Sequence, residues 1–130
     1  METATGMATE ISMTSTAPDH INTSHELLAK AQESLEQDAL LQASQKGWGA
    51  AAHMVKGVAE KKGWQHNSHR ELYQIVNRLA QETGERQIRV QFNSASALHS
   101  NFYEQWMPKE MIEDGLLEVR EFLARLDEFS

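Results

Sequence analysis

Residues 39–62 read ALLQASQKGWGAAAHMVKGVAEKK, and this stretch decides the fold. Leu40, Leu41, Ala43, Trp48, Ala51, Ala52, Met54, Val55, Val58 and Ala59 nearly surround the axis of one long helix. Gln42, Gln45, Lys46, Gly49, His53, Lys56 and Glu60 keep one narrow polar stripe, at spacings of three and four. A helix that is apolar on most sides needs cover from several neighbours, so it sits at the centre of a helical bundle. Gly47, Gly49 and Ala50 to Ala52 are small enough to let another helix approach closely. Each glycine costs about 1 kcal/mol of helix propensity, which close packing or a site must offset. Asp38 is the expected N-cap and Gly63 the expected C-cap.

The flanking segments are also helical. Thr23-Ser24-His25-Glu26 has the form of a capping box, opening a short helix over 24–36 with Leu27, Leu28, Ala31 and Leu35 inward. Ser68 and Glu71 form a second such box, followed by Leu72, Ile75, Val76 and Leu79, and Gly84 stops that helix. A fourth helix over 86–105 carries Ile88, Phe92, Ala95, His99 and Phe102 on one stripe. The alternation in 87–92 would also suit a short strand, but no second strand is available to pair with it. From Pro108 to 129, Ile112, Leu116, Val119, Leu123 and Leu126 repeat at steps of four and three. The expected fold is all-α: an up-and-down antiparallel bundle of four main helices plus a short accessory helix, one domain over 22–130.

Residues 1–21 are rich in small and hydroxylated side chains and hold no Lys or Arg, so they are expected to form a flexible tail. Without a basic start and an apolar stretch they are no secretory signal, which leaves a cytoplasmic location. No apolar run approaches the roughly 20 residues of a membrane span. The chain has no cysteine, which excludes disulfides, thiolate metal sites and a thiol nucleophile.

Charge is uneven. The net charge is −7, yet residues 46–71 carry Lys46, Lys56, Lys61, Lys62 and Arg70 against Glu60 and Glu71. His53, His66 and His69 lie in the same segment. Such a basic zone suits a phosphate. It also suits the C-terminal dipole of the central helix, which is the plainer explanation. The overall acidity opposes broad nucleic-acid binding.

The segment His66-Asn67-Ser68-His69-Arg70 starts a helix, where free amides favour an anion and Arg70 could grip it with two hydrogen bonds. A binding groove is therefore expected, lined by Lys46, His53, Lys56, His66, His69 and Arg70, with His99 and Tyr103 facing it. The plainer alternatives are a capping Ser68, solvent-facing histidines and a packed His99. Trp48, Trp64 and Trp106 are read as core edge or dimer interface before base stacking. No Glu stands three residues before a His, and His-Glu-x-x-His, Gly-x-Ser-x-Gly and glycine-rich phosphate loops are absent. No metal and no cofactor are expected.

Three segments together resemble the PaREP1 family, which is related to the HEPN and nucleotidyltransferase-substrate-binding helical bundles. They are Gln45 to Lys56, His66 to Leu72, and Ala97-Leu98-His99-Ser100-Asn101-Phe102-Tyr103-Glu104. The resemblance spans about residues 25–127. It implies an HEPN-like bundle, often a homodimer, whose relatives include toxin–antitoxin ribonucleases and noncatalytic partners of small nucleotidyltransferases. The ribonuclease motif of those relatives is Arg, four to six residues, then His. Arg70, Arg78, Arg86, Arg89, Arg120 and Arg125 all lack a His at that distance. The expected function is thus a noncatalytic binding module for a nucleotide, RNA or protein partner. The competing expectation is a metal-independent ribonuclease using His53 or His69 near Arg70. A third is an interaction protein whose acidic last helix meets a basic partner.

Overall fold

A computed structural model describes residues 16–130, and its first helix starts well before position 24. The order is α1 (Ala17–Glu36), α2 (Leu40–Lys62), α3 (His69–Thr83), α4 (Gln87–Glu104) and α5 (Lys109–Asp127). They form an up-and-down all-helical bundle, with no strand among the described residues. The stretch 87–92 is helical, which removes the strand alternative.

Three expectations need correction. The N-cap of α1 is Thr16, whose Oγ1 accepts from Asp19 N at 3.3 Å while Asp19 Oδ2 accepts from Thr16 N at 3.1 Å. Pro18 sits in that first turn, where its missing N–H costs nothing. Residues 17–21 are therefore helix rather than tail, and Thr23 to Glu26 lie inside the helix. The rest of the expected tail, 1–15, lies outside the described residues. Second, α1 has 20 residues and is no short accessory; α3, with 15, is the shortest. Third, Asp38 does not cap α2. It takes the left-handed conformation, φ +57°, that lets the chain reverse between α1 and α2. Its carboxylate accepts from Lys109 Nζ at 2.5 Å instead.

The central role of α2 holds. It packs against all four other helices. A Cβ on Gly47 would lie 2.6 Å from Leu116 Cδ2 and 2.9 Å from Leu98 Cδ1, so α4 and α5 reach the α2 backbone there. A Cβ on Gly57 would meet Ile21 Cγ1 at 2.7 Å, so α1 does the same on another side. The core joins Met54, Val55 and Val58 of α2 to Leu72 and Leu79 of α3, Phe92 and Leu98 of α4, and Leu116, Phe122 and Leu123 of α5. Gly63 and Gly84 end α2 and α3 in the left-handed region, where a glycine carries no Cβ penalty.

Two polar ties set the ends of the bundle. Arg125 holds both carboxylate oxygens of Glu85, one through Nε at 2.6 Å, and so fixes α5 to the α3–α4 turn. Buried Asn101 donates to Ser44 Oγ at 2.9 Å and accepts from the backbone N–H of Trp106 and Met107 at 2.9 and 2.7 Å. One side chain thereby fastens the α4–α5 loop to α2. Among the described residues, no helix is long and apolar enough to cross a membrane.

Candidate functional site

The N-terminus of α3 rests against the polar stripe of α2, and the chain between them folds back over it. Ser68 caps α3: its Oγ accepts from Glu71 N at 3.2 Å. Glu71 reaches back one residue further than a capping box requires, accepting from Asn67 N at 2.6 Å. These bonds hold residues 66–69 across the stripe and close a hollow of about 220 Å³. It is lined by Trp48, Gly49, Ala52, His53 and Lys56 from α2, and by His66 to His69 and Leu72 from the other side.

Four of the eight expected site residues meet there: His53, Lys56, His66 and His69. The other four do not line it. Lys46 is tied to α1, its Nζ donating to Ser34 Oγ at 3.1 Å. Arg70 is exposed on the first turn of α3, outside the hollow. His99 lies behind Trp48, stacked on the indole at 4.8 Å, and meets the His69 ring edge-on at 5.2 Å. Exposed Tyr103 meets His99 edge-on at 5.4 Å. The two α4 residues thus adjoin the hollow through an aromatic row instead of facing into it.

His20 was missed. It is buried on α1, and its Nδ1 lies 3.0 Å from Nδ1 of His53, so one ring donates and the other accepts. Its ring also meets His66 edge-on at 5.6 Å, and His66 Nε2 pairs with Glu60 at 2.7 Å. The signal that would have found it was Thr16-Ala17-Pro18-Asp19, a capping pattern with proline in the first turn.

Electrostatics keep the inner histidines neutral. Burial lowers the pKa of His20, with His66 and Lys56 adding to the effect. Burial likewise lowers His53, with Lys56 and His20 adding to it. His99 is lowered by burial and then by His69, and its buried Nδ1 has no hydrogen-bond partner among the described residues. Neutral imidazoles offer one donor and one acceptor each, and Lys56 supplies a fixed positive charge. The free amides at the start of α3 add a partial one. The arrangement can hold an anion. No group of three metal-ligating side chains converges among the described residues.

A larger hollow of about 330 Å³ lies elsewhere along α3, lined by Trp64, Gln65, Glu71, Gln74, Ile75 and Arg78. There the Arg78 guanidinium already covers the Trp64 ring at 4.0 Å, so the chain's own cation satisfies that surface.

The model of the archaeal PaREP1/PaREP8 family matches residues 19–123. The chain belongs to that family. The match includes every residue that lines the histidine hollow, and His20 behind it. No curated protein matches this PaREP1 chain. A crystal structure of a Sulfolobus solfataricus protein is similar, with a TM-score of 0.74 and 19% identity, over 82% of this chain and 95% of that one. At that identity the likeness shows a shared fold. The PaREP1 bundle is therefore an architecture that a second, distant sequence also adopts.

Proposed function

We propose that the hollow between α2 and the start of α3 binds a phosphate-bearing ligand, a nucleotide or the end of a short RNA, without catalysis. The observation that carries this reading is the convergence of Lys56, His53, His66 and His69 on the capped N-terminus of α3. About 220 Å³ is below the range of pockets that enclose a whole drug-sized ligand. The hollow therefore takes the phosphate end, and the rest of the ligand lies outside it, beside the row of His69, His99 and Tyr103. In this reading Lys56, not Arg70, supplies the charge. The cytoplasmic location expected from the N-terminal sequence, and the homodimer and nucleotidyltransferase partner implied by the family resemblance, belong with this proposal.

Calorimetric titration with mononucleotides at low salt tests it. Lys56→Ala weakens binding about tenfold, the order expected for loss of a charge-assisted contact. Arg70→Ala binds like the parent. If Lys56→Ala retains full affinity, the ligand lies elsewhere.

One observation favours the ribonuclease alternative: His53, held neutral, has a second imidazole at 3.0 Å with which to exchange a proton. Incubating RNA with the parent and with His53→Ala separates the two readings. Cleavage by the parent that is lost in the variant makes the site catalytic; no cleavage by either leaves the binding module.

A further inference from the structure

On the α4–α5 side of the bundle, a second hollow of about 220 Å³ runs between the two helices. Its walls are Ser94 and Ala97 of α4, Trp106 and Met107 of the loop, and Met111, Asp114, Gly115 and Glu118 of α5. Trp106 is 48% exposed and Met111 47%, and the two stand together on the wall of this one hollow. Gly115 lies in the floor: a Cβ there would lie 3.0 Å from Leu98 Cδ2, so α5 packs closely on Leu98 and the floor between the helices is firm. The Asn101 clamp on the Trp106 and Met107 amides holds the loop wall in place. The apolar groove is thus preformed, and it does not involve the histidine hollow.

Its chemistry is specific at one end. Glu118 Oε1 is buried and has no donor among the described residues. A buried carboxylate oxygen without a donor is costly, and a cationic N–H is its best partner. Asp114, one turn earlier, adds a second carboxylate to the same wall. Trp106 offers an aromatic face for the stem or head of a cation. Residues 104–130 carry a net −5.

We infer that this groove docks a basic amphipathic helix of a partner protein, with a Lys or Arg paired to Glu118 and apolar residues packed on Trp106, Met107 and Met111. A second copy of the chain fits poorly. A two-fold contact would set the acidic wall of α5 against itself, which like charges oppose. A contact onto the basic segment 46–71 would be head-to-tail and would give a ring or a filament, not a two-fold dimer.

Titration of the isotopically labelled full chain, followed by nuclear magnetic resonance, tests the inference. The probe is a synthetic helix with leucines on one face and lysines flanking it. Its acid-substituted counterpart is the control. The Trp106 indole and the Met107 and Met111 methyl signals should move with the basic peptide and stay still with the acidic one. Glu118→Gln should weaken binding about tenfold or more, and added salt should weaken it further. Met111→Ala gives an independent reading should Glu118→Gln fold poorly, and it too should reduce affinity. Four results overturn the inference: both peptides bind alike; the shifts fall around His53 instead; free butylamine moves Trp106 at the same concentration as the peptide; or the same signals move with protein concentration alone, which would mean self-association. Lys56→Ala should leave peptide binding unchanged, so this surface and the phosphate site fail or succeed separately.

Discussion

Ser24 is fully buried in α1, and its hydroxyl donates to the Ala50 carbonyl of α2 at 2.6 Å. Thr23, next to it, was expected to cap a helix but lies in the helix interior. The two therefore respond differently to truncation. Ser24→Ala should cost about 1 kcal/mol in chemical denaturation, and Thr23→Ala less than about 0.5 kcal/mol. Thr16→Ala removes the true cap and should cost about 1 kcal/mol. The histidines set the pH response. His20, His53 and His99 have pKa values below the ordinary 6.5, with burial the largest cause in each. Between their folded values and 6.5 the unfolded chain binds more protons than the folded one. Their neutral forms therefore contribute fully above about pH 6.5, and stability falls as pH drops through the folded values. Denaturation measured across this window should show that slope, and His53→Gln should flatten it. A stability that rises on acidification would contradict the neutral pair.

At the scale of the element, the glycines of α2 separate packing from propensity. Each glycine replaced by alanine gains about 1 kcal/mol of helix propensity. At Gly47 the new methyl would press on Leu116 and Leu98, both fully buried, and overpacking of that kind costs about 1–3 kcal/mol. At Gly49 it would meet Leu27 Cδ1 at 3.1 Å, and Leu27 is only half-buried and can move aside. Thermal melts should therefore place Gly47→Ala below the parent and Gly49→Ala at or above it. Equal losses at both positions would mean that α1 packs on α2 as rigidly as α4 and α5 do.

For the whole molecule, the net charge and the local site make opposite demands on RNA. A chain of net −7 cannot neutralise an extended phosphate backbone, while the hollow at α3 presents Lys56 and an amide-rich helix end. Binding should therefore involve about one or two phosphates. The logarithm of affinity should fall with that of salt at a slope of roughly −1 to −2, and lengthening an oligonucleotide should add little. A steep slope that grows with RNA length would point to a broad surface instead of the hollow.

Much was legible in the sequence because it is local or periodic. The core stripes of α3, α4 and α5, the left-handed stops at Gly63 and Gly84, and the central place of α2 follow from side-chain spacing and backbone sterics within a few residues. The meeting of His53, Lys56, His66 and His69 was half legible, since two lie on one stripe and two at one helix start. What composition and periodicity could not supply are contacts between residues far apart in the chain. His20 reaches His53 only because α1 extends upstream to Thr16 and lies along α2. Lys46 leaves the site because, on the same face as His53, it lies about 10 Å further along the axis, where α1 offers it Ser34, and Arg70 leaves it because its helix turns it to solvent. The groove that exposes Trp106 exists because Asn101 fixes a loop to Ser44, 57 residues away. Spacing along a helix determines which side chains share a face; only the packing of one helix on another decides what each face meets.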